Sequence, residues 1–114
     1  MSKTGKPKFS LAVSPTFKAP VEIPIHGGKS AEIVFTFKHR TRDEFTEFMD
    51  GLKTEDGAEG PKDTDVLLDI ASGWDLDEPF DAKSLEDMVQ RFMGSAQKVI
   101  HTYCEELTGA RAKN

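Results

Sequence analysis

The densest group of chemically capable side chains is Ser72–Asp81, SGWDLDEPFD, which sets the only tryptophan, Trp74, among Asp75, Asp77, Glu78 and Asp81. Carboxylates at this density suggest a cation loop. Asp75, Asp77, Asp81 and Glu86 fall at positions 1, 3, 7 and 12 of a calcium-loop count. Position 5, however, is Pro79, with a fixed φ and no amide donor, and position 6 is Phe80 where the sharp turn needs glycine. The ligand pattern is only partial, and no calcium site is expected.

The other reactive pair is His101 and Cys104, three residues apart and able to share a helix face. A closed zinc site needs four ligands, and only His26 and His39 remain to complete one. Nucleophilic catalysis needs a thiol or hydroxyl beside a base and an orienting acid; Glu105 follows Cys104, but adjacent helical positions do not face each other. Cys104 reads better as a small, partly buried apolar residue. HGGKS holds two glycines but lacks the longer spacing of a phosphate-cradling loop. No enzyme activity, metal or cofactor is expected.

Composition narrows the classes further. At 114 residues one domain is the default, with 37% hydrophobic and 31% charged residues suiting a small domain rather than a deep catalytic cavity. No apolar run approaches the roughly 18 residues of a membrane helix, and no apolar segment of signal-peptide length follows the basic MSKTGKPKFS. A single cysteine excludes an intrachain disulfide framework, so a reduced, cytosolic protein without a membrane partner is expected. The net charge of −5 is unevenly spread: residues 1–40 carry seven bases and two acids, residues 41–114 eight bases and eighteen acids. The split favours head-to-tail contact between copies or a partner on one half; acids collecting on exposed helix faces would read the same way. A helix-turn-helix around Gly94 would lie in the acidic half, which a phosphate backbone repels, so nucleic acid is not an expected partner.

The elements that must position these residues follow from periodicity. Residues 1–8 read as a disordered basic N-terminus, residues 9–110 as one α+β domain, and residues 111–114 as a frayed tail. Strands fall within 9–39: FSLAV alternates weakly, SPTFKAP reads as a connection, and VEIPI and AEIVFTFKH alternate clearly around the turn glycines Gly27 and Gly28. Pro24 marks an edge strand. A hairpin or three-stranded antiparallel sheet with one covered face is expected. Helices fall within 41–108, interrupted by a flexible loop over 53–62. The first opens with Thr41 and Glu44, a capping-box pair, and carries Phe45, Phe48, Met49 and Leu52 as a stripe. The second runs from about Asp63 to Ala71, with Gly73 as its stop; the third is capped by Asp81 or Ser84 and carries Leu85, Met88, Val89 and Phe92; the fourth carries Ala96, Val99, Ile100, Tyr103 and Leu107. Trp74 and Phe80 then flank a helix-to-helix corner. One reading plugs the core with both rings while the acids, Asp75 among them, stay wet and Asp81 caps a helix; the other presents an aromatic anchor with an acidic rim. Burying the largest apolar groups favours the first.

Three strings carry a family likeness: FKAPVEIPIHGGKSAEIVFTFKHRTRDE, ASGWDLDEPFD and YCEELTGARAKN. In their order, from about Thr16 to Asn114, the chain resembles the phage tail assembly chaperones of tailed phages and prophages. The best-marked pieces are Phe35–Arg40 with Arg42 and Asp43, the Gly73-Trp74-Asp75 corner with Phe80, and Leu107–Arg111. KTEDGAEGPKD is longer than the resemblance leads one to expect and reads as a local insertion. The resemblance implies a non-enzymatic protein that binds the tape measure protein, keeps it soluble, recruits tail tube subunits, self-associates, works in the host cytoplasm and is absent from the finished virion. Phe45, Phe48, Met88, Phe92 and Met93 are the candidate partner-binding residues, with methionine tolerating varied partners; Trp74, Asp75, Phe80 and Asp81 are the candidate structural corner. The alternative is a structural tail or neck-completion protein that stays in the particle.

Overall fold

A computed structural model of the chain describes residues 11–53 and 60–109. The expected disordered N-terminus (1–8), the core of the expected flexible loop (54–59) and the expected frayed tail (111–114) lie outside the described residues. The order is β1 (Thr16–Ile25), β2 (Lys29–Lys38), α1 (Arg42–Leu52), α2 (Asp63–Ile70), β3 (Ala71–Trp74), α3 (Ala82–Arg91) and α4 (Ser95–Thr108). This is the expected α+β arrangement, a three-stranded antiparallel sheet with four helices.

β1 and β2 form a ten-residue hairpin in register from Thr16↔Lys38 to Ile25↔Lys29. Its turn passes through Gly27 (φ 85°) and Gly28 (φ 75°), left-handed backbone that glycine adopts without a Cβ penalty. Period-two alternation sends Ala19, Val21, Ile23, Ile33, Phe35 and Phe37 to the buried face. Lys18, Pro20, Glu22 and Pro24 face solvent. The sheet order β1-β2-β3 puts β1 on an edge, where the missing amides of Pro20 and Pro24 break no ladder bond.

Three local expectations are corrected. The third strand of the sheet is Ala71–Trp74, between two helices; of FSLAV, Phe9 and Ser10 lie outside the described residues, and Leu11 and Val13 are 87% and 61% exposed and in no strand. SPTFKAP is no connection but supplies the first residues of β1, because Phe17 packs on Phe37 (centroids 5.6 Å apart). The second helix ends at Ile70, and Gly73 lies inside β3 opposite Thr36 instead of terminating the helix. Four residues are too few to show a strand period, and Ala71 continues a helical stripe, so the switch is silent in the pattern.

α1 and α3 start where the caps predict. The Glu44 amide donates to Thr41 Oγ1 (3.2 Å), and the Thr41 amide donates to Glu44 Oε1 (2.8 Å). That backbone bond from Thr41 is the main reason the Glu44 carboxyl titrates below its ordinary range. The Ser84 amide donates to Asp81 Oδ1 (2.9 Å) at the start of α3. Between α3 and α4, Gly94 (φ 85°) takes the left-handed conformation that turns the chain back. α2 and α4 then pack on the buried sheet face and α3 packs against α2 and α4, with Leu67, Ile70, Leu85, Val99 and Tyr103 fully enclosed in the core. α1 contributes one buried side chain, Phe48.

Candidate functional site

The strand register separates two ends of the sheet. At the Thr16/Lys38 end, Tyr103 from α4 stands among Phe37 (centroids 5.3 Å), Phe48 (5.8 Å, edge-on) and Phe17 (6.3 Å). Its hydroxyl donates to the Lys38 carbonyl (2.9 Å) and accepts from Arg40 Nη1 (2.8 Å). Arg40 Nη2 ion-pairs with Asp69 (2.8 Å), and the guanidinium lies over the Phe48 ring, 4.5 Å from its centroid. Burial works against the charged guanidinium, but the bond to Tyr103 and the charge of Asp69 outweigh it and move its pKa up. Burial pushes the Tyr103 phenol up, and Arg40 offsets only part of that rise. A hollow of 490 Å³ opens here between Lys38, Arg40, Glu44, Glu47 and Asp69, but its best donors and acceptors are already matched to each other.

The hairpin-tip end differs. Here α3 diverges from the sheet and leaves an apolar groove of 330 Å³. Ile25, Ile33, Trp74 and Met88 form its floor, and Leu76 and Phe92, each 37% exposed, stand at its margin. Glu32, Glu78 and Asp87 line it with Arg91 as the one base. Asp87 meets Lys83 at 3.6 Å, while Glu32 and Glu78 have no ion pair among the described residues.

The Trp74 stretch forms the wall between β3 and α3. The indole packs edge-on to Phe80 (5.2 Å, 87°) and Phe35 (5.8 Å, 66°), and Nε1 donates to the Glu78 carbonyl (2.8 Å). Asp75 extends the sheet by one step: its amide donates to the Val34 carbonyl (3.1 Å), and its Oδ1 accepts from the Val34 amide (3.0 Å). Asp75 and Asp81 thus hold backbone amides. Among the described residues no three His, Cys, Asp or Glu side chains gather in a way that could hold a metal ion. His101 Nε2 lies 3.1 Å from Glu105, and the Cys104 thiol points at Met49 Sδ (3.9 Å) with its pKa pushed up by burial, the opposite of an activated nucleophile.

The five candidate partner-binding residues divide. Phe48 and Met88 turn into the core at 8% and 6% exposure, and Phe45 is half-buried against Phe48. Phe92 is at the groove margin, and Met93 beside it is 88% exposed. Met88 and Phe92 share the groove, whereas Phe45 and Phe48 belong to the Tyr103 end. Leu76, Glu32 and Glu78 at the groove lie outside the five candidate partner-binding residues. An isolated leucine within a run of acids is the signal that marks Leu76.

The family profile described as phage tail assembly chaperone matches the chain over residues 1–114. The chain belongs to the phage tail assembly chaperone family. No curated protein and no solved structure matches it. Membership makes it a tail assembly chaperone in general, a class that acts by contact with tail proteins and generally without catalysis. No described helix of the chaperone is long and apolar enough to cross a membrane.

Proposed function

We propose that this chain is the chaperone of the tape measure protein: it binds that long chain, keeps it soluble until tail tube subunits are recruited around it, and leaves before the virion is complete. It works without catalysis or a cofactor, in several copies, in the cytoplasm of the infected or lysogenic host. The observation that carries this reading is the family match over the whole chain. The surface is compatible with it. The helical layer exposes Met93 and Phe92 after α3 and Met49 on α1, where Phe45 is half-covered. Flexible methionine and planar phenylalanine adapt to varied apolar partners. The excess of acids after residue 41 keeps such an adhesive surface dispersed.

Co-expression with the tape measure protein encoded nearby, followed by solubility and pull-down assays, tests the reading. The expected result is a soluble client that copurifies with several copies of the chain, and loss of both with Met93→Asp. An insoluble client with nothing copurifying contradicts it. Mass spectrometry of purified virions is expected to lack the chain; its retention would instead mark a structural tail or neck protein.

A further inference from the structure

The two long edges of the hairpin are finished differently. Pro20, Glu22 and Pro24 on β1 stand opposite Val34, Glu32 and Ser30 on β2. The Val34 amide and carbonyl point away from Pro20, onto Asp75. In an antiparallel pair every second residue does the same, so all six of these residues turn their main-chain groups outward. On β1 two of the three are prolines without a donor, a guard against strand addition. β2 has no such guard. β3 covers it over Phe35–Phe37, Asp75 takes up the Val34 groups, and the chain then turns away, held by the indole bond to the Glu78 carbonyl. The outward amides and carbonyls of Ser30 and Glu32 have no hydrogen bond among the described residues.

This open stretch borders the apolar groove, which Ala31, Glu32 and Ile33 help to line. Ala31 and Ile33 share the sheet face of Phe35 and Phe37. A strand continuing the line of β3 would exchange main-chain bonds with Ser30 and Glu32, and its intervening side chains would enter the groove between Trp74 and Met88. At 330 Å³ the groove is near the low end of the ~300–1,000 Å³ typical of pockets and suits a row of a few aliphatic side chains. A helix bonds its own main chain internally and would leave Ser30 and Glu32 unmet, so the edge selects an extended guest. Charge selects further. Asp87 meets Lys83, but Glu32 and Glu78 line the groove without an ion pair among the described residues, against the one base Arg91. Such a rim attracts a guest with bases beside its apolar positions.

We infer that residues 29–33 of β2 take up an extended segment of the client as an added strand, apolar at alternate positions and flanked by lysine or arginine, with its apolar side chains in the groove between β2 and α3. The assignment of that segment to the client rests on the function proposed above. Main-chain bonds carry no sequence information, so many short stretches of one long client can use the same edge.

A peptide titration tests the site, and co-expression tests whose segment it takes. The probe is a synthetic peptide of alternating valine and threonine with lysines at both ends. Added to the full chain, it is expected to shift the emission of Trp74, the only tryptophan, which lines the groove. Glu32→Pro deletes an outward amide without touching a hairpin bond and is expected to weaken binding about tenfold. Glu22→Pro, the same change on the guarded edge, is expected to bind as the parent does. Glu32→Gln keeps the amide and is expected to weaken binding only about twofold. If Glu32→Pro fails to fold, the peptide N-methylated at its threonines serves in its place and is expected to leave Trp74 emission unchanged. A valine–threonine peptide that leaves the parent's emission unchanged, equal binding by Glu32→Pro or by the N-methylated peptide, or an equal loss in Glu32→Gln and Glu32→Pro would each overturn the inference. So would a Glu32→Pro chain that alone sediments as a smaller species than the parent, which would give the edge to a second copy. In co-expression the parent is expected to keep the tape measure protein soluble and Glu32→Pro to fail. A client soluble with both overturns the inference and leaves the proposed function standing. A client insoluble with the parent contradicts the proposed function and the assignment to the client, while the titration still decides whether the edge takes a strand.

Discussion

The two ends of the sheet solve opposite problems with similar residues. At the Tyr103 end, aromatic rings, a guanidinium, a carboxylate and a carbonyl satisfy one another, and Arg40 and Asp69, which line the adjoining hollow, are paired with each other. At the Trp74 end, an indole and a phenylalanine also pack edge-on, but they border an apolar groove whose margin keeps Leu76 and Phe92 in water. A small domain gains stability by burying such groups, so leaving Leu76 and Phe92 partly wet at the margin of an apolar groove, beside Glu32 and Glu78 without ion pairs among the described residues, separates the end that folds the chain from the end that can meet another.

That comparison is most easily broken at Tyr103. Tyr103→Ala empties the centre of the closed end and is expected to cost about 3–5 kcal/mol in urea unfolding. Tyr103→Phe keeps the ring but leaves the Lys38 carbonyl and one arm of Arg40 unmatched, for about 1–2 kcal/mol. Trp74→Ala removes a half-buried wall, and about 2–3 kcal/mol is expected in the same measurement. Full stability with loss of partner binding would make Trp74 an anchor and not a corner.

Alkaline pH should act next. Burial raises both the Cys104 thiol and the Tyr103 phenol, so each holds its proton more tightly folded than unfolded. Their stabilisation is complete below about pH 8 and is lost as pH rises past their ordinary values, near 8.5 and 10. Melting temperature should therefore decline above about pH 9, and less steeply in Cys104→Ala/Tyr103→Phe relative to its own value at pH 7. The smallest stability effect belongs to the open end: Met93→Asp is expected to stay within about 0.5 kcal/mol of the parent, because its side chain is in solvent already. A large loss there would place Met93 in the fold and erase the contrast between the ends.

The closed end was only partly legible in the sequence, and the open end hardly at all. Period-two alternation fixes the faces of β1 and β2, and Thr41, Glu44 and Asp81 announce helix starts, because each is a local rule acting over a few residues. Tyr103 is marked by its place in the α4 stripe, but its partners Lys38 and Arg40 are more than sixty residues away, and no periodicity links them. β3 is silent because four residues following a helix show no period, and its pairing is decided by the exposed edge of β2. The groove is harder still, being a space between β2 and α3 that depends on where one helix stands relative to a sheet. The stripe residues Met88 and Phe92 are visible as apolar, yet nothing local distinguishes the one that fills the core from the one left at a margin.

The central claim is that this chain keeps the tape measure protein soluble through exposed apolar groups that its fold does not need. Its most direct test is co-expression of that protein with the parent chain and with Met93→Asp, reading client solubility and the chaperone's melting temperature together. The account predicts a soluble client with the parent, an insoluble one with the variant, and equal melting temperatures. A client that stays soluble with the variant, or one that precipitates with both, would contradict it.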